Sequence, residues 1–112
     1  MVYDIRFYPF AIRALDGIYE WGVRDSGKKA AKRFVNKIAK KILDLRKSPY
    51  ICSVEPMLEG YPQKYRSLVA HSYFKVIYYI DEDAKIIYVA DIWDTRMDPE
   101  ELQSHVNMKF QN

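Results

Sequence analysis

The chain has one cysteine, Cys52, and two histidines, His71 and His105, among its 112 residues. A lone cysteine excludes an internal disulfide and a cysteine-based zinc site. The four glycines form no phosphate-cradling loop, and no nucleophile elbow is present. Metal, nucleotide and triad enzymes therefore lose support, and no metal or cofactor is expected. No apolar run approaches the ~18 residues that span a bilayer. The N-terminus MVYDIRFYPF also lacks the charged and apolar regions of a secretory leader. A cytoplasmic location without membrane contact is the expectation. Repeats, low-complexity tracts and linkers are missing too, so a single domain over residues 1–112 is expected.

Tyrosine and positive charge are the conspicuous presences. There are ten tyrosines, and the net charge of +3 is unevenly spread. Residues 28–47 hold nine of the 18 basic residues against one acid, Asp44, a local charge of +8. The remainder carries nine basic and 14 acidic residues, a charge of −5. Such a division bears on partners more than the total does.

Hydrophobic periodicity orders the elements. Residues 2–8 alternate Tyr3, Ile5 and Phe7 with Asp4 and Arg6, the period of a half-buried strand. Pro9 ends that strand and can open a helix, in which Ala11, Ile12, Leu15, Ile18, Tyr19 and Val23 recur at helical spacing up to Asp25-Ser26-Gly27. From Lys28 to Lys47, Ala31, Phe34, Ile38, Ile42 and Leu45 form an apolar stripe on an otherwise basic helix, ended by Ser48-Pro49. The two helices read as an α-hairpin. Residues 48–63, with Pro49, Pro56, Gly60 and Pro62, read as an irregular connection anchored by Met57 and Leu58. Then KYRSLVA (64–70), YFKVIYYI (73–80) and KIIYVADI (85–92), separated by His71-Ser72 and by residues 81–84, predict a three-stranded antiparallel meander. Asp98-Pro99-Glu100-Glu101 starts a short C-terminal helix, with Asp98 as its N-cap. The class is α+β in two layers, the hairpin packing Leu15, Ile18, Phe34, Ile38 and Ile42 onto Val69, Val76, Tyr78, Ile87 and Val89.

This order, with the stretch from Tyr65 to Leu102, resembles the RelE/ParE toxins of bacterial type II toxin-antitoxin (plasmid stabilisation) systems. The resemblance rests on a basic residue opening the second strand (Arg66), one before an aliphatic-Tyr run in the third (Lys75), and one past the fourth (Arg96). The ending DTRMDPEEL is similar to the ParE branch. In the ribonuclease branch a tyrosine or histidine lies a few residues beyond that arginine. Here Leu102 and Gln103 stand there, the nearest candidates being His105 and Phe110. The resemblance implies a growth-arresting toxin silenced by an acidic antitoxin encoded by an adjacent gene, with DNA gyrase as target or, alternatively, ribosome-bound mRNA cut without metal.

A metal-free ribonuclease needs fixed cations and a proton carrier. Arg66, Lys75 and Arg96 supply cations, and alternation is expected to bring Arg66 and Lys75 to one sheet face with Arg96 at its end. The plain alternative is that they are solvated strand residues. His71, in an expected hairpin turn, and His105, in an expected loose tail, are the side chains that titrate near neutrality; ordinary surface histidine is the competing reading. Trp93 is a candidate for a partner groove, against a role in capping the core. The basic face of Lys28, Lys29, Lys32, Arg33, Lys37, Lys40 and Lys41 suits a nucleic-acid backbone, an acidic antitoxin, or solvent. A nontoxic nucleic-acid-binding or adaptor domain is the reading from another class.

Overall fold

The computed structural model describes residues 2–71 and 73–109. The elements are β1 (Asp4–Phe7), α1 (Pro9–Ser26), α2 (Lys28–Asp44), a single 3-10 turn (Pro56–Leu58), β2 (Arg66–His71), β3 (Phe74–Asp81), β4 (Ile86–Asp94) and α3 (Pro99–Lys109). The sheet order is β1-β4-β3-β2. β2, β3 and β4 form the antiparallel meander, and β1 joins β4 in parallel. That parallel pairing follows from the α-hairpin, a crossover long enough to return the chain in the same direction.

Pro9 occupies the first turn of α1, and Gly27, at φ 88, makes the break between the two helices in a conformation that a side chain disfavours. Farther along the hairpin, a Cβ added at Gly22 would stand 3.0 Å from the Ala31 Cβ, so the helices cross where both residues are small. The hairpin lays Ala11, Ile18, Ile38 and Ile42 on Val76, Val89, Ala70 and Phe74. Leu45 continues this layer over Tyr78 and Ile87.

One residue assigned to the core, and one assigned to the apolar face of the first helix, lie elsewhere. Val69 is 61% exposed, because the β2–β3 register sets Leu68 opposite Val76 and Val69 opposite Lys75, leaving Leu68 and Ala70 to face the helices. Ile12 is 49% exposed; α1 rotates Ala11, Ala14, Leu15 and Ile18 inward instead. His71 ends β2 rather than forming a turn, its ring edge-on to Phe34 at 4.6 Å between centroids. Ser72, assigned to that turn, and Phe110 lie outside the described residues.

The other sheet face carries a partial third layer. Leu58, Tyr65, Ile77, Tyr79, Ala90 and Trp93 pack there with Leu102 and Val106 of α3. Asp98 caps α3, its Oδ1 accepting from the Glu100 amide at 3.0 Å, and Gln103 Nε2 donates to the Met57 carbonyl. α3 is thereby fixed across the end of β4, next to Arg96.

Candidate functional site

Register decides the fate of the three candidate cations. Arg66 pairs with Tyr78, and Lys75 pairs with Val69, three residues from Arg66. An odd separation along a strand reverses the face, so Arg66 and Lys75 lie on opposite sides of the sheet. The expected convergence on one face is corrected by this count. Each cation also has a partner within the chain.

Arg66 donates from Nη1 to the Cys52 carbonyl and lies 5.2 Å from the Tyr50 ring centroid. Lys75 Nζ is 2.9 Å from Oε1 of Glu55, which is 1% exposed and also accepts from the Met57 amide at 3.0 Å. Burial pushes the Glu55 carboxyl upward, but the Met57 amide, the Lys75 ammonium and the Ser67 hydroxyl outweigh it and hold the group below the usual carboxylate range. Arg96 is gripped side-on by Asp94. Its Nε lies 3.0 Å from Oδ1 and its Nη2 2.8 Å from Oδ2, while Oδ1 also accepts the Arg96 amide at 2.9 Å. Hydrogen bonds from Arg96 hold the Asp94 carboxyl below its ordinary value. The guanidinium lies over Tyr73, 4.3 Å from the ring centroid, and is more than half exposed.

His105 is anchored, in contrast to the loose tail that its position suggested. Its Nδ1 donates to Oδ2 of Asp91 at 2.8 Å, and Asp91 is 2% exposed. The imidazole stacks on Phe10 at 4.4 Å and 13°, and the Arg13 guanidinium lies 4.8 Å above that ring's centroid. His71 stands apart from this pair, at the end of β2.

These groups border a cavity of about 410 Å³ between α1 and the end of β4, with Ala14, Ile18, Phe74 and Ile92 as apolar lining, Arg13 and Arg96 among its polar residues, and His105 beside Asp91. A neighbouring cavity of about 290 Å³ lies between the helices and the β2–β3 end, lined by Gly22, Ala31, Phe34, Tyr73 and the candidate proton carrier His71. Trp21, Phe74 and Arg96 belong to both, so the cavities form one groove. Trp93 is 2% exposed and packs in the core beneath α3, meeting the groove only as its wall; the exposed aromatics there are Trp21 and Tyr73, 49% and 47% exposed. The seven basic side chains of α2 are all exposed, and the Lys40 ammonium lies 3.9 Å from Asp44. Among the described residues no group of three or more His, Cys, Asp or Glu side chains gathers as metal ligands.

Periodicity concealed Arg13, Phe10 and Trp21 on the outer side of α1, and nothing in the sequence marked Glu55. Asp91 did leave a signal, as the one acid inside the apolar run of β4.

Residues 5–99 match the family described as ParE toxin of type II toxin-antitoxin system, parDE. The chain belongs to that family. It is thus a type II toxin of the RelE/ParE superfamily. Solved structures from several toxin-antitoxin systems share its fold. The chromosomal ParDE system from P. aeruginosa matches at TM-score 0.68 and 20% identity, over 83% of this chain and 96% of that one. The RelBE2 toxin-antitoxin complex from Mycobacterium tuberculosis matches at 0.58 and 18%, over 84% and 99%. A free-state arginine mutant of the E. coli toxin RelE matches at 0.58 and 20%, over 97% and 98%. No curated protein matches. Among the described residues no helix is long and apolar enough to cross a membrane.

Proposed function

We propose that this toxin arrests growth by binding DNA gyrase through a protein interface, and that an acidic antitoxin from an adjacent gene silences it by occupying the groove between the helices and the sheet. The observation that carries the choice of target is the dispersal of the cations. Arg66 and Lys75 sit on opposite faces, and Lys75 is closed into a pair with buried Glu55. A constellation of this kind binds better than it cuts, because phosphodiester cleavage needs cations and a proton carrier aimed at one phosphate. Arginine holds its charge at any useful pH and is a poor general base.

The test is induced expression, followed by gyrase supercoiling assays and mapping of new RNA 5′ ends. Inhibited supercoiling with intact message is expected. A second reading, ribosome-dependent mRNA cleavage, is favoured by one feature: His105, oriented by Asp91, shares the groove with Arg13 and Arg96. Codon-phased cuts abolished by His105→Ala would establish it instead. Undisturbed growth on expression would favour the nucleic-acid-binding or adaptor reading.

A further inference from the structure

None of the seven cations on the outward face of α2 lines the groove. Every exposed residue from Lys28 to Lys41 is basic except Asn36. Lys29, Arg33, Lys37 and Lys41 follow at steps of four and stack as one ridge along the helix. Among the described residues only Lys40 of this face has an acidic partner, Asp44 at 3.9 Å, with both side chains more than two-thirds exposed. The arrangement burdens the helix. Like charges four residues apart repel, and the first turn holds lysines and no acid, where the helix dipole favours negative charge. Solubility does not require this, since interspersed charges of both signs serve as well. A partner that supplies negative charge relieves the repulsion.

The character of the face narrows that partner. The ridge spans about 18 Å, the axial length over which one strand of a duplex presents about five phosphates. No apolar side chain is exposed between Lys28 and Lys41, so a protein segment would find no anchor there. No aromatic is exposed there either, and single strands are held largely by stacking on aromatic rings. Lysine and arginine carry no acceptor for the 2′-hydroxyl that marks RNA.

We propose that the outward face of α2 binds the phosphate backbone of double-stranded DNA, gripping it by charge without reading its sequence. The ridge from Lys29 to Lys41 lies along the backbone, and Lys28, Lys32 and Lys40 widen the contact. Leu43 and Asp44 end the basic face. The rest of the chain outside residues 28–47 carries a charge of −5, so the attraction is concentrated on this one helix. The inference goes beyond the antitoxin and gyrase readings and stands apart from both, since neither uses this face.

The test is fluorescence anisotropy of a labelled duplex of about 20 base pairs and arbitrary sequence, titrated with the full-length chain at several salt concentrations. With four phosphates neutralised, affinity should fall about 100-fold between about 50 and 200 mM salt. Arg33→Gln with Lys37→Gln should weaken binding about tenfold or more at the lower salt and make the logarithmic salt slope shallower by about two. Arg6→Gln with Lys64→Gln removes the same charge outside α2 and should leave the slope unchanged. The ridge variant should also melt at or above the wild-type temperature, because the repulsions of Lys29 with Arg33, Arg33 with Lys37 and Lys37 with Lys41 are gone. If that variant fails to fold, Lys29→Gln with Lys41→Gln carries the same test from the ends of the ridge. Equal effects of the ridge and control variants would overturn the proposal, since net charge alone would then explain binding. Absence of binding at the lower salt would leave the face merely solvated and would overturn it too. Tighter binding of duplex RNA, or of a polyglutamate chain, than of the DNA would refute the choice of partner.

Discussion

Replacing Lys75 with alanine separates a structural cation from a functional one. Its ammonium is the charged partner of Glu55, whose side chain is 1% exposed. Removing one member of a buried pair costs about 3–5 kcal/mol, because the other charge is left without compensation. The Lys75 side chain is 29% exposed, so water replaces part of the interaction, and the Met57 amide still serves the carboxylate. About 2–3 kcal/mol is therefore expected at pH 7. For a domain near 100 residues this corresponds to a fall in Tm on the order of 10 °C. The pH dependence has a definite sign. The Glu55 carboxyl is held below its ordinary value, so its contribution is complete above the unfolded pKa, about 4.3. The contribution is lost as pH falls through the lower folded value. Melts of wild type and Lys75→Ala, recorded by circular dichroism, should thus differ at pH 7 and converge on acidification. Equal Tm at neutral pH, or a gap that widens in acid, would refute the reasoning. The double variant Glu55→Gln with Lys75→Met removes both charges and keeps an acceptor for the Met57 amide; it should regain most of the stability and remain toxic on induction. A folded double variant without toxicity would return Lys75 to the target-binding surface.

The other predictions concern separate elements. Ile38→Ala should lower stability by about 2–5 kcal/mol, since the side chain is fully buried between α2 and the sheet, and denaturant unfolding would measure it. Gly22→Ala should destabilise despite its better helix propensity, because the new methyl meets Ala31 at 3.0 Å; a raised Tm would show that the hairpin yields easily. His105→Ala should cost about 1–3 kcal/mol by leaving Asp91 buried without its partner. Growth arrest should survive that change, and hydrogen exchange should show α3 opening more often. Arg96→Ala should keep the wild-type Tm, because exposed ion pairs contribute about 0–1 kcal/mol, while abolishing growth arrest.

The sequence by itself determined what depends on local periodicity. The stripe from Ala31 to Leu45 could be buried only as a helix, Gly27 had to break the hairpin, Asp98-Pro99 had to start α3, and three apolar runs with short turns had to form a meander. Even the RelE/ParE likeness rested on such order and spacing. Tertiary structure decided everything that depends on register and on long-range pairing. Val69 and Leu68 are adjacent and equally apolar, and only the alignment with β3 turns one outward and the other into the core. The same alignment separates Arg66 from Lys75, because a single-residue offset reverses a strand's faces. Glu55 meets Lys75 across 20 residues, and Asp91 meets His105 across 14. No periodicity encodes these pairs. They form because a buried carboxylate must find a donor, and which donor it finds is settled only when the elements pack.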